Sequence, residues 1–211
     1  MPTSIECEEL AVRHGRSKKR NNAVVALLSG GIPAAVLCLY FPFSWQRWVL
    51  GLCIGLLWGN AFEYAYHRWL LHRPRSEFGK GHLEHHANVG SIEEAEHVSL
   101  GKSPLHIFFL FAVNGILIIV ADFLLNLRVA GGIFVGWSAY LITAEEIHWR
   151  IHLGGWLPRG LRFARAYHMS HHDIPNANYS VFLPLFDFLC RTTQVRRQAS
   201  SRIVAAQLRH Q

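Results

Sequence analysis

The stretch WVLGLCIGLLWGNAFEYAYHRWLLH, residues 48–72, begins as an uncharged apolar segment and ends in a polar segment with two histidines. Its first part, residues 48–62, has the composition of a membrane-crossing helix, although a hydrocarbon core usually requires about 20 residues. Its second part, residues 63–72, stays compatible with a helix. We therefore predict one helix that leaves the membrane and carries histidines just beyond the boundary.

Three further stretches carry no charge, residues 23–43, 103–121 and 129–144. Only 17% of the 211 residues are charged, against roughly a quarter in a typical soluble domain. The connections at residues 44–47 and 126–128 are very short, whereas residues 64–102 form a long polar segment. The pattern predicts an all-α integral membrane protein with about four transmembrane helices in two hairpins and a helical, histidine-rich cytoplasmic cap.

The same pattern divides the chain into a cytoplasmic N-terminal tail of residues 1–22, a membrane domain of residues 23–192 and a cytoplasmic C-terminal tail of residues 193–211. The first apolar stretch lacks a small-x-small cleavage site, so we expect it to be retained. The four cysteines form no Cys-x-x-Cys pair, which argues against a zinc ribbon or a disulfide framework. Collagen, coiled-coil and disordered classes do not fit this composition.

The distribution of Lys and Arg predicts the orientation in the membrane, because these residues are retained on the cytoplasmic side. Nineteen of the 21 lie in the two tails, the central polar segment or the region after Glu146, and only Arg47 and Arg128 lie in the hairpin tips. Both termini and the central segment are therefore expected in the cytoplasm. The formal net charge of +7 then indicates contact with anionic lipid, and no nucleic-acid partner is predicted.

Histidine is in excess, with 14 residues in the chain. Ten of them form four clusters outside the apolar stretches, with spacings of mostly three or four residues, which bring side chains to one face of a helix. The five-residue spacing of His67 and His72 is less suited to one metal, and it indicates either a bridge towards two metals or a helix that distorts at its end. The ten candidate ligands are His67, His72, His82, His85, His86, His148, His152, His168, His171 and His172.

Imidazole is a ligand that suits iron, zinc, copper and nickel, and ten of them predict two metal ions with about five ligands each. Metal-bound imidazoles commonly donate their second N–H to a carboxylate, so we expect Glu63, Glu145 and Asp173 as such partners. The histidines without close neighbours in the sequence, to which we assign no role, are His14, His97, His106 and His210.

The order of the four clusters resembles the fatty acid hydroxylase/sterol desaturase superfamily of membrane non-haem di-metal oxygenases. Along the chain the boxes read His-x4-His, His-x2-His-His, His-x3-His and His-x2-His-His. The flanking sequences are also similar, in residues 63–68 (EYAYHR) and in Asn178, Tyr179, Pro184 and Asp187. The resemblance covers about residues 62–192.

The third box, His148 and His152, is most similar to the fatty acid 2-hydroxylase branch of that superfamily. The chain departs from the family pattern at Ser180, where the family usually has glycine, and at Arg191, where it usually has glycine before threonine. Neither departure is at a candidate ligand, so they bear on the substrate subclass more than on metal binding.

The resemblance implies O2-dependent hydroxylation of a fatty acyl chain or a sterol-like lipid at two iron ions, with zinc able to occupy the site after overexpression. It places the metals at the cytoplasmic ends of the spans. It also implies an electron donor, such as cytochrome b5 or a ferredoxin with its reductase. We expect a basic cytoplasmic face to attract this acidic carrier, and its residues are Arg159, Arg162, Arg165, Arg196 and Arg197.

Two alternatives remain open from the sequence. A desaturase or a carotenoid hydroxylase would use the same metal site. A membrane metal transporter or storage protein belongs to a different class, but transport favours polar groups inside the spans, which offer little beyond Asn60 and Asn114. The apolar residues 181–190 are too short to cross a membrane, and we expect them to lie against it and to line the substrate entrance.

Overall fold

The computed structural model describes residues 3–101 and 103–194, which form helices joined by turns and contain no strand. A π-helical turn, His67–Leu71, follows the second helix, and a short 3-10 turn precedes the seventh. The α-helices are α1 Ser4–Tyr40, α2 Trp45–Tyr66, α3 Glu77–Ala87, α4 Glu94–His97, α5 Pro104–Leu125, α6 Ala130–His152, α7 Arg162–Asp173 and α8 Leu185–Leu189. The predicted all-α class is confirmed.

Helices α1 and α5 are long and apolar enough to cross a membrane. In the most apolar 18 residues of each, only 17% and 22% of the residues are buried, so most of their apolar side chains face outward. Leu27 on α1 is 60% exposed and Ile116 on α5 is 64% exposed. A surface of this kind is stable in lipid rather than in water. The chain is therefore an all-α membrane protein.

Helices α2 and α6 have similar lengths of 22 and 23 residues, but glycine and polar residues lower their hydropathy, so the count of four spans stays a prediction. Their backbones approach closely. A methyl group added at Gly55 would lie 2.3 Å from the carbonyl oxygen of Ile133, and one at Gly136 would lie 2.4 Å from that of Leu52. Small residues permit this close approach. The two helices therefore form one closely packed pair, and both of them carry histidines.

The N-terminal residues 4–22, expected as a polar tail, form the first half of α1, which continues without a break into the first apolar stretch. The change from polar to apolar composition is not a helix end, because lysine, arginine and glutamate are good helix formers. This half packs on the cap, where Ala11 is buried beside Ala95 and Trp149. The described residues of the predicted C-terminal tail are 193 and 194, and Arg196, Arg197 and His210 lie outside the described part of the chain.

An apolar core joins α1, α5 and α6 below the cap. Its largest members are Phe111, Phe134 and Trp137, and the Phe111 and Trp137 rings are stacked with their centroids 4.2 Å apart. Above this core, the short helices α3, α4 and α7 surround the histidine-bearing ends of α2 and α6. The fold therefore places the polar cap directly on an apolar interior.

Candidate metal centre

The structure brings all ten predicted histidines together in two groups of five, and in each group the candidate ligand nitrogens lie within 4.8 Å of one another. Each group can hold a metal ion. The first histidine group consists of His67, His72, His82, His86 and His171. The second histidine group consists of His85, His148, His152, His168 and His172.

The two His-x2-His-His boxes each contribute to both groups. On α3, His82 and His86 belong to the first group while His85 belongs to the second. Residues i and i+4 lie about 40° apart around a helix, whereas i+3 and i+4 lie about 100° apart, so the middle histidine points elsewhere. Each His-x2-His-His box therefore presents two of its three imidazoles to one group and the third to the other. Helix α7 repeats the arrangement in reverse, with His168 and His172 in the second group and His171 in the first.

The π-helical turn at the end of α2 explains the five-residue spacing of His67 and His72. A π-helix is wider than an α-helix because its hydrogen bonds join residues five apart, and such turns are frequent at functional sites. The two imidazole rings are nearly parallel, with an interplanar angle of 14° and centroids 5.2 Å apart. Of the two alternatives, the distorted helix is the one observed, and both histidines belong to the first group.

Main-chain carbonyls fix the orientation of two rings in the first group. His67 Nδ1 is hydrogen-bonded to the carbonyl oxygen of Tyr179, and His171 Nδ1 lies 2.6 Å from that of Ala177. A carbonyl oxygen only accepts hydrogen bonds, so both Nδ1 atoms carry the proton and both Nε2 atoms present lone pairs. Two lone pairs facing the same five-nitrogen cluster fit a metal cation better than they fit a network of hydrogen bonds.

The second group is centred on His168. Its Nε2 lies 2.9 Å from Nε2 of His148, 3.1 Å from that of His152 and 3.2 Å from that of His172. His85 lies beside them with 3% exposure, and neither of its ring nitrogens has a hydrogen-bond partner. An unsatisfied buried nitrogen is costly, and a bound cation would supply the missing partner. This group also fits a metal ion.

Burial keeps the imidazoles neutral, which is the form that binds metals. It lowers the pKa of His171 to about 4. Burial, together with the nearby His171 and His72, lowers the pKa of His86 to about 3. Burial also lowers the pKa of His85 and of His168 well below the usual value of histidine. At neutral pH these rings therefore have a free lone pair to offer.

A cavity of about 90 Å³ adjoins both histidine groups and extends into the apolar interior. Its polar end is lined by His67, His82, His85, His148 and His168. Its apolar end is lined by Phe62, Leu110, Trp137, Leu141 and Ala144. His97, which had no role in the sequence analysis, also lines this cavity. An apolar group inside this cavity would lie against the imidazole cluster.

The pattern of the fatty acid hydroxylase family matches residues 52–192, about two thirds of the chain. The chain belongs to the fatty acid hydroxylase family. The matched residues include all ten clustered histidines. The sequence-based recognition of this superfamily is confirmed.

A solved structure described as full-length Scs7p, in which only the hydroxylase domain is visible, has a similar fold, with a TM-score of 0.60 at 20% sequence identity. The match covers 82% of this chain and 64% of that chain, so our chain spans less than two thirds of the Scs7p structure. A comparison with curated proteins gave no match.

Two of the carboxylates that we expected beside the clustered histidines have other partners. Glu63 accepts hydrogen bonds from the hydroxyl of Tyr140 at 2.5 Å and from the amide of Val181 at 3.1 Å. Glu145 accepts from the side-chain amide of Asn22 at 2.8 Å. These two predictions were wrong. Each carboxylate lies about one helical turn from a histidine in the sequence, but its hydrogen bonds are formed with residues of other segments.

The role of Asp173, the last residue of α7, stays a prediction. Glu94 does contact one of the clustered histidines, since its Oε1 lies 2.7 Å from Nδ1 of His152. Glu94 lies 58 residues from His152 in the chain, so no local spacing in the sequence indicated the contact.

The residues that flank the last box hold the loop that supports His67. Asp187 is fully buried, and its carboxylate accepts hydrogen bonds from the amides of Tyr179 and Ser180 at 2.9 and 2.7 Å and from the hydroxyl of Thr192 at 2.8 Å. The carbonyl of Tyr179 in turn accepts from His67. The family-like residues Tyr179 and Asp187 therefore act on the first histidine group through the backbone.

Proposed function

We propose that the chain hydroxylates a fatty acyl chain or a sterol-like lipid with O2 at a two-iron centre, with the ten histidines as its ligands. The observation that carries this proposal is two groups of five imidazoles beside an apolar cavity. The neutral imidazoles are suitable ligands for two metal ions. Lipid substrates are apolar, so the adjoining apolar cavity suits a hydrocarbon segment. Family membership supports the lipid class.

Two bound irons would supply the activation of O2 that attack on an unactivated C–H bond requires. The residues of the chain have separate tasks. The carbonyls of Tyr179 and Ala177 hold the rings of His67 and His171 with Nε2 directed inward. Trp137 and Leu141 exclude water from the apolar end of the cavity and orient a hydrocarbon segment toward the imidazoles. Zinc fits the same donors and can replace iron after overexpression.

A transport function is less well supported. Within the described residues, the side-chain amide of Asn114 donates to the carbonyl of Leu110 on its own helix, at 2.8 Å. That of Asn60 donates to the hydroxyl of Tyr140 and to the carbonyl of Leu183. The side-chain amide nitrogens of both asparagines are thus engaged in structural contacts, whereas a transport path needs groups that are available to a passing ion.

Lipid profiling tests the proposed reaction. We expect cells that produce the chain to contain a lipid whose mass is increased by one oxygen atom relative to cells without it. A variant with His168→Ala and His172→Ala should abolish this product, since both side chains belong to the second histidine group. A product that has instead lost two hydrogens would identify a desaturase, and no change in any lipid would contradict both enzymes.

We also propose that the chain crosses the membrane several times, with the metal centre and both termini on the cytoplasmic side. The support is the distribution of Lys and Arg, of which only Arg47 and Arg128 lie in the hairpin tips. A reporter that is active only outside the cytoplasm should be silent when it is fused after Gln211 and active when it is inserted beside Arg128. An active reporter after Gln211 would contradict this orientation.

An acidic electron carrier, such as cytochrome b5 or a ferredoxin served by a reductase, completes the proposal. Arg159 and Arg162 are exposed and suit such a partner. Arg165 has a structural role instead, because its guanidinium donates to the carbonyl oxygens of Arg150 at 2.8 Å and Gly155 at 2.6 Å. We therefore assign carrier binding to the first two arginines and not to Arg165.

A further inference from the structure

Glu94, on α4, links the end of α6 to the turn that follows α3. Its Oε1 lies 2.7 Å from Nδ1 of His152 at the end of α6, and its Oε2 accepts from the amide of Gly90 at 2.8 Å. Gly90 has a positive φ of 77°, a conformation that favours glycine, and it lies in the turn that follows α3. Both oxygens of Glu94 are therefore held in place.

The contact with His152 is shielded from water. The His152 side chain is 0% exposed and that of Glu94 is 12% exposed. A carboxylate only accepts here, so His152 Nδ1 carries the proton and its Nε2 lone pair faces the second histidine group, 3.1 Å from Nε2 of His168. In the first group, the corresponding acceptors of His67 and His171 are neutral main-chain carbonyls.

We propose that Glu94 is a positioning residue for the metal ion of the second histidine group. It fixes the tautomer and the ring orientation of His152, and it places a negative charge next to a ring that would bind a cation. Loss of such an outer partner typically lowers metal affinity by about 10- to 100-fold. The effect is confined to the second group, because Glu94 acts through His152. This inference rests on the metal centre of the proposed function but not on the lipid reaction.

Two variant backgrounds allow the metal affinity of each histidine group to be measured separately. A chain with His82→Ala and His86→Ala keeps the second group intact, and a chain with His168→Ala and His172→Ala keeps the first group intact. The dissociation constant for Zn²⁺ is measured in each purified chain by competition with a chelator. The absorption spectrum of bound Co²⁺ is recorded as a signature of ligand geometry. Thermal unfolding of the metal-free chains reports whether each variant still folds.

With only the second group intact, we expect Glu94→Gln to weaken Zn²⁺ binding by about tenfold and Glu94→Ala by about 100-fold. Glutamine keeps an acceptor for His152 and loses the charge, whereas alanine loses both. The Co²⁺ spectrum should change only in the alanine variant. With only the first group intact, neither change should alter the affinity by more than about twofold.

Glu96→Gln is the matched control, because Glu96 is on the same short helix but is exposed and faces His14 at 4.0 Å. It should leave both affinities unchanged. Equal losses in the two backgrounds, or no loss in either, would overturn the role of Glu94. Failure of the unsubstituted chain to bind Zn²⁺ would overturn the metal centre itself, whereas metal binding without lipid turnover would overturn only the proposed reaction.

Discussion

Replacing His82 and His86 together with alanine is expected to remove one of two metal ions per chain and to abolish lipid hydroxylation. Both side chains belong to the first histidine group, and His82 Nε2 lies 2.9 Å from Nε2 of His86 and 2.9 Å from that of His67. The double change leaves three imidazoles where five converge. Since loss of an outer partner alone costs about 10- to 100-fold in affinity or activity, loss of two ligands should lower turnover by more than about 100-fold.

The measurement combines metal analysis after dialysis against a chelator with lipid product analysis on the same purified sample. The double variant with His168→Ala and His172→Ala should give the same result, because both side chains belong to the second histidine group. Each double variant should therefore retain one metal ion per chain and have no hydroxylation activity. His14→Ala is the control, because His14 is exposed on α1 and belongs to neither group. Full activity in either double variant would contradict the assignment of its group.

The sequence was sufficient to find the ten histidines, because their clusters are local. Spacings of three and four residues bring side chains near one another on any helix, so the prediction needed only local helical geometry. The all-α class followed from the apolar stretches, because their lengths are close to the number of residues that a membrane-crossing helix requires. These parts of the structure depend on residues that are close in the chain.

The division into two groups was not predictable in the same way. Helical geometry turns His85 and His171 away from the other members of their boxes. The histidines of other helices that they meet depend instead on the relative positions of α3, α6 and α7, which are set by tertiary packing. The contact of Glu94 with His152 joins residues 58 apart, and the π-helical turn at His67 depends on hydrogen bonding that composition does not report. The second histidine group thus depends on contacts between distant segments.

The predicted boundary between the N-terminal tail and the first span stays a prediction, but it does not coincide with the start of a helix. The sequence marks the change from polar to apolar residues near Ala23, whereas α1 runs from Ser4 to Tyr40. Hydropathy indicates which part of a helix suits lipid, but the helix ends where backbone capping ends it, and here Thr3 provides the N-terminal cap. Composition and helix boundaries are separate properties of the chain.

Filling the cavity is expected to separate metal binding from catalysis. Ala144 is 4% exposed on α6, lines the cavity and lies one turn before His148 of the second histidine group. Leucine at this position adds three carbon atoms to a cavity of about 90 Å³, and the space that it takes is the space proposed for the reacting part of the lipid. We expect turnover to fall by about 100-fold, since a displacement of about 1 Å at a reacting centre can have such an effect.

Metal content should stay at two ions per chain in Ala144→Leu, because no histidine is changed and the added carbons occupy free volume. Ala121→Leu is the matched control, since it makes the same substitution at an exposed position of α5, where added apolar surface faces outward. It should keep full activity. The comparison is made by measuring metal content and lipid product in the two purified variants. Unchanged turnover in Ala144→Leu would place the substrate elsewhere, and a loss of metal would show that the added side chain disturbs the imidazoles themselves.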